Sequence, residues 1–249
     1  MIYTGIGSRD TPKDIQWIMS RIGYGMAKRG HTLRSGRADG ADQAFEKGLF
    51  SYHDDVNKYY KVSPSHVTPM QELAELYKPW RNFGSKPSVW DLLPTDNPKL
   101  WAKALQVVRD IHPNPDALSD AAKLLHGRNV FQVLGKDLLT PSDFVIYWAK
   151  TDKSGIPVGG TRTAVRLAQL ENIPTINMLD PDWNARFKEL VNLTGKKLKM
   201  PFEDMNFTQY NPEGKSLLDE LKNYNPTTTN EENPQTAFFN TWGSVWDKL

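Results

Sequence analysis

What most constrains this chain is a repeated hand-over: a short apolar run, a turn of small residues, then a stretch with helical periodicity. Residues 2–6 (IYTGI) run into Gly5-Ile6-Gly7-Ser8-Arg9, and residues 31–34 run into Ser35-Gly36-Arg37-Ala38-Asp39-Gly40. Residues 143–149 (DFVIYWA) are a third such run, with Gly159-Gly160-Thr161 ahead of the next periodic stretch. Parallel strands need a crossover long enough to hold a helix, so this alternation is the pattern of βα units. It predicts an α/β fold built on a parallel sheet.

The boundaries follow from local signals. Thr11-Pro12 opens the first helix, with Thr11 as N-cap and Pro12 at the first helical position. Ile15, Ile18, Met19, Ile22 and Met26 recur at helical spacing, and Gly30 stops the helix. A second helix covers about residues 41–49. Residues 51–97 read as irregular, rich in Tyr, Pro, Ser and Asp, with a third strand at 75–80. Residues 98–127 read as helical, interrupted at His112-Pro113-Asn114-Pro115. A helix ends near Asn172, a strand covers 173–179, and Asp180-Pro181 caps a helix to about Leu193. The expected organisation is one domain over 1–200, with an insertion at about 51–97, and an extension over 201–249. The aromatic end of that extension (Phe238, Phe239, Trp242, Trp246) docks on the body or on a second subunit.

Composition removes several function classes. The chain has 249 residues and no cysteine, which excludes disulfides, thiolate metal sites and cysteine nucleophiles within it. Its five histidines show no ligand spacing, so neither a metal nor another cofactor is expected. No apolar run approaches the ~20 residues that cross a bilayer. The opening MIYTGIGSRD has neither the basic start nor the apolar stretch of a signal peptide, which points to the cytoplasm and away from membranes. The net charge of +2 hides an asymmetry. Residues 201–249 carry three basic and eight acidic residues, leaving 28 basic and 21 acidic in the first 200. A cationic body suits an anionic ligand.

The glycine turns supply the chemistry. In an open parallel sheet, ligands sit beyond the carboxyl ends of the strands, where helix N-termini present unpaired N–H groups that suit phosphate. Each turn joins small residues to a hydroxyl and an arginine: Ser8 and Arg9, Ser35 and Arg37, Thr161 and Arg162. No GxxxxGK[ST] is present, and Gly5-Ile6-Gly7 lacks the third glycine of GxGxxG. The group His126-Gly127-Arg128-Asn129 with Gln132 has two readings. It reads a base edge or a phosphate, or it is a helix end stopped by Gly127, with His126 and Arg128 complementing the dipole. Trp80-Arg81-Asn82-Phe83 is a loop that either stacks on a base or packs into the core.

Four segments carry a family resemblance: GIGSRDTP (5–12), LRSGRADGADQAFEKG (33–48), residues 125–149 from LHGRN to DFVIYWA, and GGTRTAVRLAQLENIPTINM (159–178). They resemble the SLOG superfamily. That superfamily includes the DNA-processing protein DprA, the LOG cytokinin-activating phosphoribohydrolases and nucleotide-sensing domains of bacterial defence systems. Its phage-encoded members are the subtype most like this chain, which would place the protein in a host cytoplasm. The resemblance implies a Rossmann-like open parallel sheet with helices on both faces, plus a large irregular or helical insertion and a C-terminal tail. It implies a bound nucleotide or nucleotide derivative. The phosphate would lie against Gly159, Gly160, Thr161 and Thr163, and base and ribose near Gly7, Ser8, Arg9, Ser35, Gly36 and Asp42. It also implies a homodimer or homotetramer.

Catalysis is a separate matter. LOG hydrolases carry a glutamate pair after PGGxGT, where an anionic group faces an oxocarbenium-like carbon. Here Val165 and Arg166 stand at those positions, so that mechanism does not carry over. Asp42 and Glu46, at i and i+4 on one helical face, are the substitute carboxylates. The plainer readings are a helix cap for Asp42 and a solvated charge for Glu46. The leading expectation is a nucleotide-binding protein that senses or sequesters an ADP-ribose-like ligand. The alternatives are an N-glycoside hydrolase or deoxyribosyltransferase acting on nucleoside 5′-monophosphates, and a DprA-like single-strand DNA binder. The acidic tail and the absence of a basic run weigh against nucleic acid.

Overall fold

Side chains alternate across a strand, so the two faces of a sheet must find different partners. The fifth strand shows this. Phe144, Ile146 and Trp148 enter one hydrophobic core while Val145 and Tyr147 enter another, and all five are buried. A strand buried on both faces belongs inside a parallel sheet covered by helices. The computed structural model describes residues 1–59, 70–84, 88 and 90–193. In chain order these form β1 (Ile2–Gly7), α1 (Lys13–Lys28), β2 (Thr32–Ser35), α2 (Ala41–Tyr59), α3 (Met70–Leu73), β3 (Ala74–Tyr77) and β4 (Asp91–Leu92). They continue with α4 (Pro98–Ile111), α5 (Asp120–Leu134), β5 (Phe144–Trp148), α6 (Thr161–Leu170), β6 (Thr175–Asn177) and α7 (Trp183–Leu193).

The strand order is β4-β3-β2-β1-β5-β6 with every pairing parallel. This is the Rossmann-like α/β architecture, with helices on both faces. The chain builds outward from β1 through β2, β3 and β4, then returns through α4 and α5 to lay β5 on the other side of β1. The junction of β1 and β5, where Tyr3 pairs Phe144 and Gly7 pairs Trp148, is therefore the point at which the winding reverses. Helices α1, α2 and α7 cover one face around Met19, Ile22, Phe45 and Phe187. Helices α4, α5 and α6 cover the other around Val108, Phe131, Ala164 and Leu167. Where α1 crosses α2, a Cβ on Gly23 would meet the Phe45 carbonyl at 2.2 Å and one on Gly48 the Ser20 carbonyl at 1.8 Å. Only glycine lets these two helices come so close.

On the α5 face the core is polar where α5 ends. Arg34 of β2 is buried, with Nε paired to Glu75 Oε2 at 2.8 Å and Nη1 donating to the Thr140 carbonyl at 2.6 Å. Thr4 of β1 donates to the Gln132 carbonyl at 2.6 Å. These bonds satisfy carbonyls at and beyond the end of α5 and fix that helix against the sheet.

Four local expectations are corrected. Thr11 is not the N-cap of α1: its hydroxyl donates back to the Ser8 carbonyl at 2.6 Å, and Pro12 holds the cap position with no side-chain bond. α2 runs to Tyr59 rather than stopping near residue 49, and a two-residue strand that was not expected, β4, pairs with the expected third strand β3 inside the segment read as irregular. α5 does not stop at Gly127 but continues to Leu134, ending at Gly135 with φ +80. Gly127 instead makes room for Trp101, whose ring would lie 2.4 Å from a Cβ there. Trp80 packs edge-on against Phe83, with ring centroids 4.9 Å apart, and neither lines the cavity described below. Residues 60–69, 85–87, 89 and the extension 201–249 with its aromatic end lie outside the described residues.

Candidate functional site

The three glycine turns follow β1, β2 and β5, and they differ in what remains of their hydrogen-bonding capacity. In the turn after β1, Ser8 N donates to the Trp148 carbonyl at 2.9 Å, stitching the end of β1 to β5. The Ser8 hydroxyl accepts from Asp10 N at 3.1 Å. Arg9 is exposed and close enough for its charge to act on Arg128.

The turn after β2 is already occupied. Gly36 N donates to Asp42 Oδ2 and Arg37 N to Glu46 Oε1, both at 3.0 Å. Arg37 sits in the left-handed region at φ +61, which points consecutive amides into one concavity of the kind that binds anions. The anions here are the protein's own carboxylates, carried at i and i+4 on the first turns of α2. Glu46 also accepts from Ser35 Oγ at 2.7 Å and pairs with Arg37 Nη1 at 2.9 Å, while Arg37 Nε faces Asp91 Oδ1 at 3.1 Å. Glu46 is thus no solvated charge: it is 2% exposed, and burial pushes its carboxyl up to about 7 against the pull of Arg37 and the Ser35 bond.

The turn after β5 is open. Gly159 holds φ +74, and the amides of Gly159, Gly160 and Thr161 donate to no acceptor among the described residues. They are the free donors expected at the N-terminus of α6. Two side chains of α5 hold this turn in place. Asn129 Nδ2 donates to the Gly160 carbonyl at 2.8 Å, and His126 Nδ1 meets Thr163 Oγ1 at 2.6 Å. Because they stand at i and i+3, one helical face reaches both.

Arg128 and Gln132 of α5 lean the other way, over Gly36. A Cβ on Gly36 would stand 1.1 Å from Arg128 Nη1 and 2.7 Å from Gln132 Nε2, so the turn must be bare for the guanidinium to lie there. Arg128 is 4% exposed and pairs with Asp42 Oδ2 at 3.3 Å. Burial raises the Asp42 carboxyl, partly offset by that guanidinium. Arg128 Nε and Gln132 Nε2 are buried donors with no partner among the described residues.

Between these parts lies a cavity of about 420 Å³, within the size range of small-molecule sites. It opens at the carboxyl end of β1, at the reversal of winding. Gly7, Ser8, Arg9 and Asp10 from the turn after β1 and Gly159, Gly160 and Thr161 from the turn before α6 both line it. α5 supplies His126, Arg128, Asn129 and Gln132, and the β2–α2 region supplies Ala38 and Asp42.

The structure therefore gathers Gly7, Ser8, Arg9, Asp42, Arg128, Asn129, Gly159, Gly160 and Thr161 around one space. It leaves out Ser35, Arg37 and Glu46, whose polar groups bind one another, and Gly36, whose amide donates to Asp42. It leaves out Arg162, which pairs with Asp152 Oδ2 at 3.5 Å, and Thr163, which is buried behind His126. Ala122 and Leu125 complete the α5 wall and carried no signal, being ordinary apolar residues of a helix. Among the described residues no three His, Asp or Glu side chains are grouped to hold a metal ion, and no helix is long and apolar enough to cross a membrane. No family model, no curated protein and no solved structure matches this chain.

Proposed function

We propose that this protein binds a phosphate-bearing small molecule of the nucleotide class, including ADP-ribose-like derivatives, and senses or sequesters it in the manner of SLOG proteins. One observation carries the reading. The cavity at the reversal of winding is lined both by a helix N-terminus whose amides are unused among the described residues and by the buried Arg128 guanidinium. Fixed amides and a guanidinium are the groups that hold a phosphate dianion without relying on a metal. By resemblance the working form is a homodimer or homotetramer in a host cytoplasm.

The test is thermal shift of the purified full chain with a panel of nucleoside and deoxynucleoside monophosphates and ADP-ribose, with free base followed by chromatography. The expected outcome is a ligand-specific rise in Tm without release of base. Gly160→Asp abolishes that rise by placing a carboxylate at the α6 turn. A Cβ at Gly160 meets nothing within 4 Å, so this variant keeps the fold. A rise unchanged in Gly160→Asp removes the α6 turn from the site.

A second reading rests on Asp42, the buried carboxylate in the cavity wall. An N-glycoside hydrolase or deoxyribosyltransferase needs an anionic group beside the anomeric carbon. Base release that disappears in Asp42→Asn would establish this reading. Against it, Asp42 Oδ2 is already engaged by Gly36 N and Arg128. Glu46, the other candidate, lies outside the cavity.

A further inference from the structure

We propose that His126 is a ligand-contacting residue of the cavity and that Thr163 is its positioning residue. In this arrangement the Thr163 hydroxyl donates to His126 Nδ1 and leaves Nε2–H as a donor to the phosphate-bearing ligand. The inference rests on the nucleotide-binding reading above and assigns a role within that site.

Thr163 Oγ1 and His126 Nδ1 are 2.6 Å apart, and that is the bond the Thr163 side chain makes. Thr163 is 2% exposed. Were Nδ1–H the donor, the buried hydroxyl hydrogen of Thr163 would have no acceptor among the described residues, which is costly. With the hydroxyl donating, both groups are satisfied and the ring proton is forced to Nε2. Nε2 makes no hydrogen bond to the described residues, yet it is not among the buried unpartnered atoms, and its ring belongs to the cavity wall. A donor left facing a cavity while its other nitrogen is fixed is the arrangement by which imidazoles are oriented toward ligands.

The ring stays neutral in this role. Burial, together with the nearby His112 and Arg128, lowers its pKa to about 4. His112 meets it edge-on at 5.0 Å, and the His112 Nδ1 accepts from Asn114 N at 3.2 Å. His126 thus offers a directed hydrogen bond without adding a cation beside Arg128. It also explains why Thr163 belongs to the site although it does not line the cavity.

The experiment is long-range ¹H–¹⁵N correlation on the uniformly ¹⁵N-labelled full chain, alone and with AMP or ADP-ribose. Without ligand, His126 should show the Nε2-protonated pattern, retained in Thr163→Ser and lost or mixed in Thr163→Val. With ligand, its Nε2 signal should move. His126→Leu should weaken binding about tenfold, the loss of one hydrogen bond, and Thr163→Val should weaken it with rescue by Thr163→Ser. An Nδ1-protonated His126 in the free chain overturns the proposal. So does ligand binding that Gly160→Asp abolishes while the His126 signals and the His126→Leu affinity stay unchanged. No binding of any of the probes to the wild-type chain would instead fell the nucleotide reading, and this assignment with it.

Discussion

Gly36 has no side chain because the Arg128 guanidinium occupies the place where one would be, and Arg128 is there because Asp42 holds it. The three residues act as one unit although 86 residues separate Asp42 from Arg128. Gly36→Ala must push a buried, paired guanidinium aside, and should cost about 1–3 kcal/mol, the range for overpacking. In an Arg128→Ala background the main obstruction is gone and only the end of the Gln132 side chain must give way, so the same substitution should cost much less. Urea unfolding of the two single variants and the double variant measures this coupling, and strictly additive effects would refute it. The sequence shows Gly36 as a turn glycine and Asp42 as a capping candidate, but not that they serve Arg128. That relation exists only after β2 and α5 are brought together, and no spacing in the chain encodes it. Glu46 is the sharper case. A glutamate on a helix reads as solvated by default, and it is buried here because Ser35, Arg37 and the Arg37 amide all turn toward it.

At the scale of elements, α5 organises the site. One side of it holds the α6 turn through His126 and Asn129, and the adjoining side covers the β2–α2 turn through Arg128 and Gln132. Asn129→Ala should therefore leave the Gly160 carbonyl without its α5 donor and loosen the turn that the proposed phosphate occupies. The expected result is a stability loss of about 1 kcal/mol and a weakened nucleotide-induced rise in Tm. An unaltered rise would mean that the α6 turn is held by its own backbone. The strands and most helices were legible because apolar runs and helical periodicity are local properties of the chain. β1, β2, β3 and β5 fall where the runs predict, and α4 breaks from α5 at the prolines near residue 113. The reading failed where a local signal had a tertiary cause. Gly127 looks like a helix stop but is a contact for Trp101, so the sequence does not show that α5 continues through His126 and Asn129 to Leu134. β4 is two residues long, too short to show any period.

For the whole molecule, buried ionisable groups of opposite tendency predict an unusual response to pH. Burial raises the Glu46 carboxyl from 4.5 to about 7, so the folded chain holds more protons than the unfolded one between those values. Stability from this group is fully present below pH 4.5 and is lost as pH rises through 7. Asp42, also raised by burial, acts in the same direction. His126 does the opposite. Its pKa is lowered from 6.5 to about 4, so the unfolded chain binds the extra proton, and stability is lost as pH falls from 6.5 through 4. The slopes from Glu46 and His126 oppose each other between pH 4.5 and 6.5, so each partly masks the other in the wild-type profile. The variants separate them. Relative to wild type, Glu46→Gln should gain stability as pH rises from 4.5 to 7, by on the order of 2 kcal/mol. Its absolute level will be shifted by the broken pair with Arg37, so the slope against pH is the quantity to read. His126→Gln should gain relative to wild type as pH falls from 6.5 to 4. Urea midpoints at pH 4.5, 5.5, 6.5 and 7.5 test both. Parallel curves for Glu46→Gln and wild type would mean that Arg37 and Ser35 keep Glu46 ionised throughout, leaving its burial without effect on the proton balance of folding.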